Sequence, residues 1–445
     1  MPAMATSFVP SSQPLRSDVL IVGGGVAGLA AADRLASTGR KVVLLEARPR
    51  LGGRVHTILD EPTGHAVELG AEFMQGQPQP LLELIESAGL TLHEIPEWHE
   101  RANQGRRRDF PDVERLVDRL LDCNPDRRDI PVAQRIRECT GRFKPDELEA
   151  MTGYLEGFHA ADLERFGTAA LADNQAAEAE DAEHIARLAG GYGQVVQQLA
   201  QNLRPELVQI HTGAVVTRLE WKPGSVQAEA LTTEGEVLRV QAAQAVLAVP
   251  VTTLKISPSE DGAFFPDPAP AGWREALQRL EMGAAQHIVL RFESAWWMER
   301  GKPPPVFLHG RGEPVPVWWT SSPPEVPFLT GWAGGPQALR LAGQTVKQLI
   351  PLALASAARI FGREVRALGR ELRAAYSHDW TSDPYARGAY SYGGVGAARA
   401  RELLRRPVSG TLFLSGEALV DEGRNATVPG ALASGIRSTE ALLQS

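Results

Sequence analysis

Three glycines, Gly23, Gly25 and Gly28, follow the apolar run Asp18–Val22 (DVLIV) in the spacing G-x-G-x-x-G. Each has a physical task at a phosphate. The first makes a tight turn, the second lets backbone approach a pyrophosphate, and the third lets the next helix lie close to the strand. The residues after them (LAAADRLASTG) are small and apolar at helical spacing, with Gly39 as the stop. The positive end of such a helix suits an anion. Lys41–Leu45 (KVVLL) predicts a second buried parallel strand, and Glu46 closes it, 18 residues after Gly28. An acid there binds ribose hydroxyls and repels a 2′-phosphate. The chemistry is dinucleotide binding, and to this point NAD and FAD fit equally.

These residues need a large scaffold. The chain has 445 residues, 43% hydrophobic and 22% charged, enough for two to three average domains or one composite fold. A net charge of −8 argues against a polyanion-binding surface. Two cysteines, Cys123 and Cys139, exclude a disulfide framework and a cysteine-built metal site. No apolar run is long enough to span a membrane, and the N-terminus lacks a secretory pattern, so a cytoplasmic location is expected. Residues 77–189, rich in Glu, Arg, Leu and Ala at helical spacing, are expected to be a mostly helical insertion, with the arginines 106–108 in a solvated loop. Residues 208–249 and 285–335 read as strands, and Leu341–Phe361 as one long helix. A strand at LFLSG, a glycine-bearing loop and the helix ALASGIRSTEALL close the chain.

The segment Glu46-Ala47-Arg48-Pro49-Arg50-Leu51-Gly52-Gly53-Arg54 resembles the E-A-R-x-R-x-G-G-R extension of FAD-containing amine oxidases. Further blocks follow in the order of that family. Gly70-Ala71-Glu72-Phe73 resembles the segment beside the isoalloxazine ring, and Val216 in VTRLEW the valine whose backbone contacts the adenine. Gly331-Trp332-Ala333-Gly334, Trp380, Asp383-Pro384 and Gly388-Ala389-Tyr390-Ser391-Tyr392 are similar to later blocks. Leu414-Ser415-Gly416-Glu417 and Thr427-Val428-Pro429-Gly430-Ala431 resemble the C-terminal flavin signature. The likeness runs from about residue 16 to 443.

The resemblance implies an α/β fold. A Rossmann-like FAD-binding domain of the glutathione-reductase type would be assembled from 16–76, 186–256 and 402–445. An α+β substrate-binding domain would comprise 77–185 and 257–401, and residues 1–15 would be disordered. It implies FAD held by Gly23, Gly25, Gly28, Glu46, Ala47, Arg48, Gly53, Arg54, Gly70, Ala71, Glu72, Phe73, Val216, Gly416, Glu417, Thr427 and Val428. Arg54 would reach the pyrophosphate and Glu417 the ribityl region. The binding would be noncovalent, because Ala389 stands where covalent members carry a cysteine. The implied reaction is hydride transfer from the α-carbon of a small-molecule amine to flavin N5, with imine hydrolysis and reoxidation by O₂ or another acceptor. No nucleic-acid or membrane partner is expected.

Four residues would surround the reacting amine by this likeness. Trp380 would lie beside the flavin, and Tyr390 would form one wall of an aromatic cage. Thr427 takes the position of the second wall and is not aromatic. His287 stands where the family usually places a lysine that holds a water on N5. It is either an acid, base or water-orienting group, or a half-buried strand residue. Two other readings remain open: a desaturase- or porphyrinogen-oxidase-like flavoenzyme of the same fold, or a flavin-binding protein without amine oxidase activity.

Overall fold

Runs of consecutive apolar residues mark strands covered on both faces. Leu15–Val22 and Val42–Leu45 are such runs, and both lie inside an eight-stranded sheet. Its order is Val208–His211, Val42–Leu45, Leu15–Val22, Val237–Leu247, Ser225–Thr232, Ala214–Lys222, Pro266–Asp267, with Leu412–Leu414 beside Val237–Leu247. The four strands from Val208–His211 to Val237–Leu247 are mutually parallel, as is Leu412–Leu414. Residues 214–247 form an antiparallel meander. Leu20, Val22, Val43, Leu45 and Leu247 pack into one core, and Val19, Ile21, Val42, Leu44 and Val246 into another. The second core is covered by the helices Val26–Ser37, Gly193–Asn202 and Val428–Leu443. The first and last of these lie so close that a Cβ on Gly435 would sit 2.3 Å from the Ala27 carbonyl oxygen. This computed structural model describes residues 13–95, 99–123, 128–181, 184–256, 262–298, 307–321, 325–421 and 423–445.

A second sheet has seven strands, in the order Leu372–Ser377, Ala285–Phe292, Phe328–Gly334, Val317–Thr320, Phe307–His309, His99–Asn103, Arg106–Asp109. Here the sequence alternates, and each face has its own use. Ile288, Leu290, Phe292, Leu308, Trp318, Leu329 and Ala333 pack against Leu349, Ala353, Ala357 and Ile360 of the helix Val346–Phe361. The intervening positions, among them His287, Phe307, Trp319 and Trp332, face away from that helix and line a cavity. A third core joins the helices Val113–Leu121, Val132–Cys139, Pro145–Phe158 and Thr168–Asp181.

Three expectations are corrected. Residues 77–189 are not uniformly helical: Leu92–Glu94, His99–Asn103, Arg106–Asp109 and Ile185–Leu188 are strands. The arginines 106–108 are therefore in a hairpin strand rather than a loop. Gln104 (φ 51°) and Gly105 (φ 72°) make the turn, and pairing of His99–Asn103 with Phe307–His309 holds the hairpin on the sheet edge. Sheet pairing overrides a composition that favours helix. The helix expected at Leu341–Phe361 begins only at Val346, because Gly343 (φ 77°) breaks the chain and Thr345 caps the helix reciprocally with Gln348. Finally, Leu15 already belongs to the first strand, while residues 1–12 of the expected disordered terminus lie outside the described residues.

Candidate functional site

The glycine turn comes first. A Cβ on Gly28 would lie 1.9 Å from the Gly23 carbonyl oxygen, so only glycine lets the helix start this close to its strand. Gly25 is the N-cap of Val26–Ser37 and offers no side-chain cap, which leaves the first N–H groups of the helix for a ligand. Space above Gly25 is open: an added Cβ would meet nothing nearer than 3.9 Å. Glu46 is buried beside it, accepting from Gly24 N–H at 2.7 Å and Arg48 N–H at 2.8 Å. Burial pushes its carboxyl up, against those bonds. Arg48 reaches Asp383 at 2.6 Å and lies over the rings of Trp380 and Tyr385.

Farther along, Arg54 donates to Glu417 Oε1 at 2.7 Å and to the Ala389 carbonyl at 3.0 Å. Glu417 Oε2 accepts from the Ser391 hydroxyl at 2.5 Å and from Ala426 N–H at 2.9 Å. Burial alone would raise this carboxyl. The Arg54 charge and the two donors outweigh it and hold it below the ordinary carboxylate range. Gly416 (φ 139°) is bare, with nothing within 4 Å of an added Cβ. Thr427 lines the cavity as well. Its hydroxyl accepts from Gly430 N–H and donates to the Arg424 carbonyl, both at 3.0 Å, so it caps the last helix. That leaves it without the free side chain a cage wall needs.

The far end is aromatic. Trp380 is buried, donating from Nε1 to the Leu69 carbonyl at 2.7 Å. Its ring packs so near Gly70 that a Cβ there would meet Cζ2 at 3.2 Å. Tyr390 donates its hydroxyl to the Phe158 carbonyl at 2.6 Å and lies parallel to Trp332, 12° apart in plane with centroids 6.3 Å apart. Trp332 is thus a parallel aromatic neighbour of Tyr390. Trp319 packs on Phe73, Phe307, His287 and Trp332. His287 is buried, and neither ring nitrogen has a hydrogen-bond partner. Burial lowers its basicity; the Glu72 charge works the other way.

Glu72, which lines the cavity together with Gly70, Ala71 and Phe73, is tied to the second sheet. Its carboxylate is held by Arg187 at 2.9 Å and by Trp319 Nε1 at 3.1 and 3.2 Å, with His287 Nε2 3.5 Å away. Arg187 lies over the Phe73 ring, 4.6 Å from its centroid.

One cavity of about 650 Å³ joins these ends. All of the expected site residues line it except Gly28, which works underneath as a spacer. The sequence reading missed Phe307, Trp319 and Arg187, and noted Trp332 only as part of a block. The signal available was the alternation in the second sheet, where 285 and 287, 307 and 309, and 317 and 319 all line the cavity. A long, narrow cofactor with phosphates at its middle fits this arrangement. Bare backbone at Gly25 and Gly416, the starts of two helices at Val26 and Val428, the buried acid Glu46 and the cation Arg54 all line this one cavity.

Comparison with known proteins agrees with that fit. A family model described as flavin containing amine oxidoreductase matches residues 26–139 and 132–443. The human lysine-specific histone demethylase 2 is 26% identical over 94% of this chain, and the chain spans 52% of its length. The chain thus spans about half the length of the first demethylases it matches. Polyamine oxidase 2 of Arabidopsis thaliana is 27% identical over 95% of the chain and 87% of its own length. Wild-type putrescine oxidase bound to putrescine shares the fold, with a TM-score of 0.79 at 22% identity over 97% of this chain and 100% of that one.

Proposed function

The chain belongs to the flavin-containing amine oxidoreductase family with FAD as its cofactor, and from that premise we propose that it oxidises a small-molecule amine. The observation that carries this reading is the continuity of one cavity from the glycine turn to the parallel pair Tyr390 and Trp332. When bound, the flavin supplies the acceptor for a hydride leaving the carbon that bears the amine. The remaining work belongs to the chain.

In this reading Gly23–Gly28 and the end of the first helix hold the pyrophosphate, Glu46 the adenosine ribose, and the Val216 backbone the adenine. Arg54 and Glu417 hold the middle, and the N-terminus of the last helix at Val428 faces the flavin's polar edge. The segments 16–76, 186–256 and 402–445 act as the cofactor-binding part, and 77–185 with 257–401 as the substrate-binding part. Trp380 and the Gly70–Ala71 backbone wall the reaction space. Tyr390 and Trp332 present π faces to an ammonium and exclude water around it. His287, at the position of the family lysine, would act there as an acid, a base or a water-orienting group.

The test is anaerobic mixing of the yellow holoprotein with benzylamine, cyclohexylamine and putrescine while the flavin absorbance is followed. Bleaching by at least one amine, with aldehyde or ketone as product, supports the reading. Absence of bleaching with all three refutes it and favours a flavin-binding protein without amine chemistry.

A further inference from the structure

Behind the aromatic end lies a second, smaller chamber of about 110 Å³, lined by Glu68, Arg187, Ser321 and Thr330, with exposed His65 at its rim. Among the described residues Glu72 alone lines both this chamber and the main cavity. The space has room for a few water molecules, and its lining is polar enough to bind them. Buried polar atoms without a hydrogen-bond partner flank Glu72: Nδ1 and Nε2 of His287, a residue that lines the main cavity, and Nε of Arg187, a residue that lines the chamber. His287 Nε2 is the nitrogen near Glu72 Oε2, at 3.5 Å, so Nδ1 is the other end of the imidazole.

The charged groups around this path are few. Arg187, from Ile185–Leu188, and Trp319, from Val317–Thr320, fix the Glu72 carboxylate. Glu68, at the end of His65–Glu68, accepts from the Thr57 hydroxyl at 2.7 Å and Tyr192 N–H at 2.5 Å. Burial, with the Glu72 charge adding, pushes its carboxyl up to about 7 in spite of those donors. Near neutral pH, Glu68 therefore exchanges a proton easily.

An amine arrives as an ammonium, since an alkylammonium pKa is about 10. It must lose a proton before its carbon can yield a hydride, and an aromatic box gives that proton no water to enter. We propose that His287 takes this proton and that Glu72 passes it into the chamber, making His287, Glu72 and Glu68 a proton exit for the active site. The substrate N–H bond breaks, its electron pair stays on nitrogen, and an N–H bond forms at His287 Nδ1. The Nε2 proton leaves through Glu72 Oε2 to chamber water, and Glu68, taking one proton from that water as it gives up its own, hands the charge on to solvent past His65. The imidazole is neutral again, and exchange with water restores its tautomer. No oxidant or reductant is consumed. Glu72 orients the imidazole and stabilises its protonated form, the role a carboxylate plays beside any catalytic histidine.

This inference rests on the amine reading above. It is tested by anaerobic flavin bleaching of the holoprotein with benzylamine and putrescine from pH 6 to 10, in the wild type, Glu72→Gln, Glu72→Asp and Glu68→Gln. The expected result is a bleaching rate at saturating amine at least tenfold lower at pH 7 in Glu72→Gln, largely restored in Glu72→Asp. A loss of at least threefold is expected in Glu68→Gln, whose side chain does not line the site. In both Gln variants the deficit shrinks as pH rises toward the amine's own pKa. If Glu72→Gln bleaches as fast as wild type or faster at pH 7, Glu72 merely stabilises the ammonium and the proposal fails. If Glu72→Gln does not retain flavin, Glu68→Gln decides: a wild-type rate there overturns the exit. A wild type that neither amine bleaches refutes the amine reading itself, an outcome separate from any variant effect.

Discussion

Replacing Arg54 by methionine removes the cation that faces a fully buried carboxylate. Glu417 keeps the Ser391 hydroxyl and Ala426 N–H, but loses the 2.7 Å bond from Arg54. Stranding one partner of a buried ion pair costs about 3–5 kcal/mol. The two remaining donors and the partial exposure of Arg54, 23%, place the expected loss at the lower end, about 3 kcal/mol. Removing the charge as well, in Arg54→Met/Glu417→Gln, relieves most of that loss, leaving about 1 kcal/mol. The assay is urea unfolding of the holoprotein in excess FAD at pH 7, following tryptophan and flavin signals. The sign with pH is also defined. A carboxyl held below its unfolded value, about 4.3, contributes in full above that range and loses its contribution as pH falls through the folded value. The deficit of Arg54→Met therefore narrows in acid. If the double variant is no more stable than Arg54→Met at pH 7, Glu417 is not a stranded charge and the reasoning is wrong.

Three further outcomes are expected. Gly28→Ala puts a Cβ against the Gly23 carbonyl oxygen at 1.9 Å and should yield protein with little or no bound flavin, read from the absorbance ratio of the purified protein. Wild-type flavin content would count against the close-packing role. Trp332→Leu removes the ring parallel to Tyr390 and should raise the apparent dissociation constant for an amine about threefold to tenfold, consistent with about 1 kcal/mol for a partly desolvated cation–π contact, with flavin content unchanged. His287→Lys should change the rate at which O₂ reoxidises the reduced holoprotein in stopped flow. Indistinguishable rates would show that this position does not govern the use of oxygen.

The cofactor end was legible because local rules dictate it. A strand, three glycines, a helix and an acid occur within one short stretch, and each residue's task follows from its own neighbours. Gly28 could be assigned without knowing any distant contact. The aromatic end was only partly legible. Trp380 and Tyr390 came from a likeness of blocks, but Thr427 proved to be a helix cap, and Trp332 took the place beside Tyr390.

The reason is sequence separation. Glu72, Arg187, His287 and Trp319 meet only because Ile185–Leu188 and two strands of the second sheet converge behind the Gly70–Phe73 segment. No local pattern marks that meeting, and the isolated arginine in the short strand Ile185–Leu188 reads as a surface residue until its neighbours bury it. The sequence by itself thus carried the glycine turn, its helix and the acid after the second strand, which depend on short-range turn and helix geometry, while the fold class came from the likeness of blocks along the whole chain. Tertiary packing alone decided the pairing of Tyr390 with Trp332, the contact of Glu72 with Arg187 and the chamber behind it. Long-range pairing of strands fixes which side chains share a cavity face, and each site side chain's ordinary local propensity carries no record of that pairing.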